Sequence, residues 1–190
     1  MNKYEIKYFN TSKKMNDALI LLLLKKDFDY ITIKDICQEA KVNRSTFYLH
    51  YENTYDLLEE VISNLNKSFK ESFKDVKPID ISISNIAELN FIDDKYLVPY
   101  LNFIKENKQV YKALRNEPKI FKADKTYEKM FEKLFSPILD KFNVKDYQKR
   151  YVIDFFISGI TSIVYSWCQD DCKVDVSDIA SLIKQLINHK

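Results

Sequence analysis

The chain has 190 residues, 46% hydrophobic and 31% charged, with a formal net charge of +2 and one glycine beside four prolines. That length can bury a sizeable core, and so little glycine argues against a fold of tight hairpins, whose turns need positive backbone angles; an all-helical chain is expected. The small basic excess neither demands nor excludes a nucleic-acid partner, because the placement of charge matters more than its sum.

The first fourteen residues carry Lys3, Lys7, Lys13 and Lys14 against Glu5 alone, a basic arm that either lies along a phosphate backbone or stays a solvated terminus. A first helix is expected from Thr11 or Ser12 to about Lys26, with Met15, Ala18, Leu19, Leu22 and Leu23 on its buried side, before a turn at Asp27-Phe28-Asp29-Tyr30. The stretch from Thr32 to Tyr51 then reads as two short helices about a tight turn. Thr32 with Asp35 is a capping-box pattern, each side chain able to take the other residue's backbone N–H. Ile31 and Ile36 stand at staple positions, and Ile33, Ile36, Cys37 and Ala40 form one buried stripe. The stripe stops at Lys41, Val42 is an apolar plug in a polar turn, and Asn43 suits the N-cap of the second helix. Phe47 falls on the core side, so Arg44, Ser45, Thr46 and Tyr48 point outward, with His50 just beyond. Such a row suits a DNA groove, where guanidinium pairs with guanine edges while hydroxyls and imidazole meet phosphate oxygens.

Asn53 with Asp56 caps the next helix, and Leu58, Val61, Ile62, Leu65, Phe69 and Phe73 carry an apolar stripe towards Pro78. Residues 1–52 therefore form a reading head, 53–76 a connecting helix able to act as a lever, and 77–190 a helical C-terminal domain. Within the last, Ile79 to Phe91 reads as loop plus a short helix. A helix follows from Asp94 with Leu97, Tyr100, Leu101 and Ile104 on one side and Pro99 in its first turn. Asn107 to Asn116 forms another, and Ile120 to Phe142 a longer one that Pro137 kinks or divides. Phe103, Tyr111, Phe121, Tyr127, Phe131 and Phe155 either wall a pocket for a flat apolar ligand or simply fill the core. The final pair, Tyr147 to Cys168 and Val176 to Ile187, is apolar around most of its circumference, so each helix needs cover on several sides. A four-helix contact across a two-fold axis would supply it through Phe156, Gly159, Ile160, Ile163, Trp167, Ile179, Ile183 and Leu186; a monomer core is the plainer reading.

Thr32-Ile33-x-x-Ile36, then Ala40-x-Val42-Asn43-Arg44-Ser45-Thr46-Phe47-Tyr48-x-His50-Tyr51 and Leu57-Leu58, resembles the helix-turn-helix of the tetracycline-repressor (TetR) family of bacterial transcription regulators. The match runs from about Thr11 to Ile62, and Tyr96 through Trp167 to Ile187 resembles more loosely the ligand-and-dimer domain of one Firmicutes-type branch. The resemblance implies an all-α fold, a homodimer on a palindromic operator of double-stranded DNA, and release by a small-molecule effector. It implies DNA contacts at Thr32, Asn43, Arg44, Ser45, Thr46, Tyr48, His50 and Thr54. Two positions depart from the family pattern: Lys41 stands where glycine is common, and Thr54 where a phosphate-holding lysine is usual. Threonine still offers a hydroxyl at a helix start, but without the charge.

No paired carboxylates at motif spacing, no nucleophile with its base and no glycine-rich phosphate loop suggest an enzyme, and His50 and His189 are the only histidines. No cofactor or metal is expected: Cys168 and Cys172 lie four apart beside Asp170 and Asp171 but have no histidine near them in sequence. Three cysteines without a signal sequence, and an apolar run at Ala18–Leu24 too short to span a bilayer, suggest a reducing cytoplasmic setting and no membrane. The reading is a sequence-specific regulator, a repressor released by its ligand; the alternative is an adaptor whose C-terminal domain docks a protein partner.

Overall fold

Helices are the regular structure throughout the described residues of the computed structural model, which are 2–76, 93–115, 139–140 and 143–188. They are α1 (Lys3–Leu23), α2 (Ile33–Ala40), α3 (Arg44–Tyr48), α4 (Thr54–Ser72), α5 (Asp94–Glu106), α6 (Lys108–Arg115), α7 (Asp146–Gln169) and α8 (Val176–Asn188), with a 3-10 turn at Phe28–Tyr30. Contacts divide the chain into one unit of Met1–Ser68 with Gln109–Lys122 and another of Phe69–Lys108 with Ala123–Lys190. The division falls within α4. The expected segment Ile79–Phe91, most of Ile120–Phe142, the pocket candidates Phe121, Tyr127 and Phe131, and His189 lie outside the described residues.

In the first unit, α1 packs on α2 and α2 on α3. Met15, Leu19, Ile36, Phe47 and Leu57 are fully buried there, with Phe28, Ile31, Tyr51 and Leu58 completing the core. Burying such a ring or branched side chain contributes about 1.5–3 kcal/mol each, which is what holds helices as short as α2 and α3 in place. The first helix differs from expectation. It begins at Lys3, capped by Asn2 in a capping box with Glu5, rather than at Thr11 or Ser12, and it ends at Leu23. The basic arm is therefore helical.

The turn after α2 is closed by Lys41 at φ 55°, ψ 44°, the left-handed conformation usual for glycine at a helix C-terminus. Val42 N–H reaches back to Cys37 C=O at 3.0 Å, the long bond of that motif. Lysine is held there at a cost of about 1–2 kcal/mol.

In the second unit α5, α7 and α8 pack together. Leu97, Leu101, Phe103, Ile104, Ile160, Val164, Trp167, Ile179 and Ile183 are buried. Lys184 Nζ meets both carboxylate oxygens of Asp94, at 2.7 and 2.8 Å, joining α8 to the start of α5. α5 starts at Asp94 as expected, but Pro99 is its sixth residue rather than part of its first turn, and the Lys95 carbonyl loses its helical donor. Trp167 Nε1–H donates to the Val174 carbonyl at 2.9 Å, tying the end of α7 to the turn before α8.

Lys41→Gly relieves the left-handed strain and touches no buried contact, so it should raise the unfolding free energy by about 1 kcal/mol. Urea denaturation of both proteins measures this directly, with the midpoint moving up at constant slope.

Candidate nucleic-acid interface

The reading helix is set in place by its own caps. Asn43 is its N-cap, and the Asn43 Oδ1 accepts from Thr46 N–H, Thr46 Oγ1–H and Ser45 Oγ–H, each at 2.7 Å. One carboxamide oxygen therefore gathers both hydroxyls and the backbone N–H of the third residue of α3. At the start of α2 the capping box is complete: Asp35 N–H donates to Thr32 Oγ1 at 3.2 Å, and the Thr32 N–H and hydroxyl donate to Asp35 Oδ2 at 3.0 and 2.8 Å. Lys26 Nζ, at 2.8 Å from the same carboxylate oxygen, and the Thr32 donors hold the Asp35 carboxyl well below the usual carboxylate range.

Between these caps the faces separate. Phe47 is 0% exposed while Tyr48 is 58% exposed. Arg44 and Ser45 are exposed, and Thr46 half-buried. The outward row thus comprises a guanidinium, two hydroxyls and a phenol on five residues of helix. Leu49, also exposed, adds an apolar side chain at the helix end. Thr32 and Asn43 are exposed as well, and Thr54 is half-buried at the first position of α4. There Asn53 Oδ1 accepts from Tyr55 and Asp56 N–H, and Asp56 Oδ2 from Glu52 and Asn53 N–H.

His50 sits differently from the others. Its ring stacks on Tyr8 of α1, centroids 3.9 Å apart at 24°, and its Nδ1 is buried with no hydrogen-bond partner. Burial lowers its pKa, outweighing the nearby Glu60 charge, so the imidazole is uncharged near neutral pH. Tyr8 is a residue the sequence reading missed. The Asn2-x-x-Glu5 capping pattern could have found it, by starting α1 early enough to bring Tyr8 one turn above Ser12.

Behind the reading helix lies a buried polar knot. Ser12 Oγ and Tyr51 Oη are 2.8 Å apart, Asn16 Nδ2 donates to Tyr51 Oη at 3.2 Å and to Glu60 Oε1 at 3.0 Å, and Ser12 Oγ–H donates to Glu60 as well. Burial pushes the Tyr51 phenol up, keeping it protonated. α1, the residue after the reading motif and α4 are thereby joined through one set of bonds, each costly to break because its members are out of water.

The expected pocket and interface residues separate. Tyr111 is buried in the first unit and Phe103 in the second, whereas Phe155, expected in a pocket wall, is 74% exposed. Of the expected interface residues, Ile160, Trp167, Ile179 and Ile183 are buried within the protomer and Leu186 is exposed. Phe156 and Ile163 are half-buried. Gly159 is exposed, and a Cβ there would meet nothing within 4 Å among the described residues. The helix α7 is apolar around most of its circumference, so the sequence could not say which residues its own domain takes. Cys168 and Cys172 are both buried, with sulfurs 3.8 Å apart. Among the described residues no group of three metal-ligating side chains occurs.

A capped pair of short helices, the second turning arginine, hydroxyls and phenol outward from a buried phenylalanine, is a helix-turn-helix, the arrangement whose second helix enters a DNA major groove where it is used for recognition. The chain belongs to the TetR family of bacterial regulatory proteins: residues 17–61 match that family's model, and residues 94–189 match the model of a transcriptional regulator C-terminal region. Both matched models describe regulatory proteins.

Among its relatives is an uncharacterized HTH-type transcriptional regulator, YxbF of Bacillus subtilis (strain 168), 22% identical over 180 residues, covering 93% of this chain and 44% of YxbF. The chain thus spans less than half the length of that relative. The HTH-type dhaKLM operon transcriptional activator DhaS of Lactococcus lactis subsp. lactis (strain IL1403) is 25% identical over 163 residues, covering 80% of this chain and 76% of DhaS. A solved structure of the fatty acid degradation regulator FadR from Bacillus halodurans shares the fold, with a TM-score of 0.62 at 15% identity over 95% of this chain and 97% of that one.

Proposed function

We propose that the chain acts as a homodimer on a pseudo-palindromic operator, as a repressor released by a small apolar effector, in the cytoplasm. The observation that carries the DNA reading is the outward row on α3, fixed by the complete burial of Phe47. Arg44 reads a guanine edge, Ser45 and Thr46 assist once their hydroxyls turn from Asn43 to the groove, and Leu49 meets a thymine methyl. Tyr48, Thr32 and Thr54 hold phosphates. His50, uncharged and stacked, contributes mainly by supporting Tyr8. Two copies of α3 would enter successive major grooves about 34–36 Å apart or a multiple of that.

Arg44→Ala should cost about 1–3 kcal/mol of operator binding and flatten preference at one base position. Selection of bound sequences from a random DNA pool, followed by titration of the variant, reads both effects; equal weakening on every sequence would remove Arg44 from base readout. Threonine rather than lysine at position 54 favours a second reading, an adaptor that docks a protein partner. Such a protein would bind DNA only weakly and without sequence preference in the same selection.

The homodimer is supported by the outer side of α7 and α8. Tyr151 and Phe155 are exposed one turn apart, and Leu182 and Leu186 are exposed on α8. A glycine in mid-helix costs about 1 kcal/mol against alanine, and among the described residues nothing within 4 Å of a Cβ built at Gly159 requires one; close approach of a second helix would. α7 is also long and apolar enough to cross a bilayer by length and composition, a property that a helix covered by a second copy shares. Phe155→Lys should leave the protomer folded and shift the mass in sedimentation equilibrium from two chains to one. A variant that stays dimeric would move the interface elsewhere.

The effector is assigned to the C-terminal half on the strength of its aromatic content and the family's habit of binding small molecules. The two sites are coupled if a ligand that raises the melting temperature also lowers operator affinity by about 5–150-fold. Screening apolar compounds by thermal shift and then by footprinting tests this; a stabilising compound that leaves the footprint unchanged shows the sites independent.

A further inference from the structure

The first two turns of α1 have no place in the core. Every residue from Asn2 to Asn10 is exposed, including Tyr4, Ile6, Tyr8 and Phe9, and the first buried side chain is Ser12. At 1.5 Å per residue the exposed residues Lys3–Asn10 make about 12 Å of helix. A segment that short is not helical on propensity alone. It is held at its start by the capping box, Asn2 N–H to Glu5 Oε2 at 2.8 Å and Glu5 N–H to Asn2 Oδ1 at 2.9 Å. Further along it is held by the Tyr8–His50 stack. That stack fixes where the extension departs: His50 lies two residues past the end of α3, so the extension leaves the head beside the reading helix.

Its charge is one-sided. Lys3, Lys7 and Lys14 recur at helical spacing on one face, Lys13 stands beside them, and the single carboxylate, Glu5, is engaged by the cap. We infer that this helical extension is a second DNA-binding element, which lays Lys3 and Lys7 on the phosphates bordering the groove that Arg44 reads. The inference rests on the DNA-binding reading above and adds to it a contact that carries affinity but no sequence information. The aromatic side of the extension serves as the support, with Tyr8 on His50 setting its angle to the duplex.

The test is the salt dependence of operator binding by the full chain, measured by fluorescence anisotropy between 50 and 200 mM salt. Each phosphate contact contributes about 0.9 to the slope of log affinity against log salt. The double variant Lys3→Gln, Lys7→Gln should therefore have a slope shallower by about 1.8, and its deficit against the unaltered protein should shrink about twelvefold across that range. Its preferred sequence should not change. Lys105→Gln, Lys173→Gln removes the same charge from exposed positions elsewhere and should keep the original slope. Tyr8→Ala, which breaks the stack, should fall between the two. An unchanged slope in the Lys3, Lys7 variant overturns the inference while leaving DNA binding intact, as does an equal loss in the Lys105, Lys173 control. Absence of salt-dependent operator binding by the unaltered protein overturns the DNA-binding reading itself.

Discussion

Burial of the Phe47 ring is the constraint on which the reading surface depends. A helix of five residues has too few internal hydrogen bonds to hold its own orientation. The buried ring supplies what the backbone lacks. With Phe47 sealed against solvent, and edge-to-face with Tyr48 at 5.8 Å and tilted against Tyr51 at 5.5 Å, rotation of α3 about its axis would expose an aromatic face and bury a guanidinium. Both changes cost several kcal/mol. Asn43 adds the second restraint, because three donors converge on its Oδ1 and fix the entry to the helix.

The polar knot of Ser12, Asn16, Tyr51 and Glu60 makes that orientation a property of three helices rather than one. Tyr51 lies three residues past the reading helix, and a shift of α4 that moved Glu60 would take from Ser12 Oγ and Asn16 Nδ2 the carboxylate oxygen they share. Packing alone is more forgiving, since apolar surfaces slide over one another at small cost. Hydrogen bonds among buried groups are discrete, made or lost, and so suit a connection through which movement along α4 would reach the DNA surface.

Legibility in the sequence followed the range of the interactions. The caps at Thr32, Asn43 and Asn53 are contacts over three residues or fewer, so residue spacing disclosed them, and with them the starts of α2, α3 and α4. The inward turn of Phe47 followed from helical spacing against Ile36. Lys41 in the left-handed region was foreshadowed by the glycine that the family places there. The start of α1 was not legible from periodicity, because Tyr4, Ile6, Tyr8 and Phe9 form no stripe against a core and only the Asn2–Glu5 cap marks the boundary. Pro99 misled for a related reason: proline favours first turns, but α5 begins at the Asp93 cap and tolerates the missing donor in its second turn.

Faces were harder than elements in the C-terminal half. A helix apolar around its circumference carries no phase information, so Phe155 and Ile160 are equivalent in the sequence although one is exposed and the other buried. Only the neighbouring helices break the tie, by taking Ile153, Ile160, Val164 and Trp167 inward. What they leave outward, Tyr151, Phe155 and Gly159, is a row of two rings and a bare backbone at successive turns. Solvent alone would select polar residues there, and a helix with no second helix near it would select alanine over glycine. The homodimer proposed above would cover such a surface, since a copy of the same chain would present the same residues across a two-fold axis.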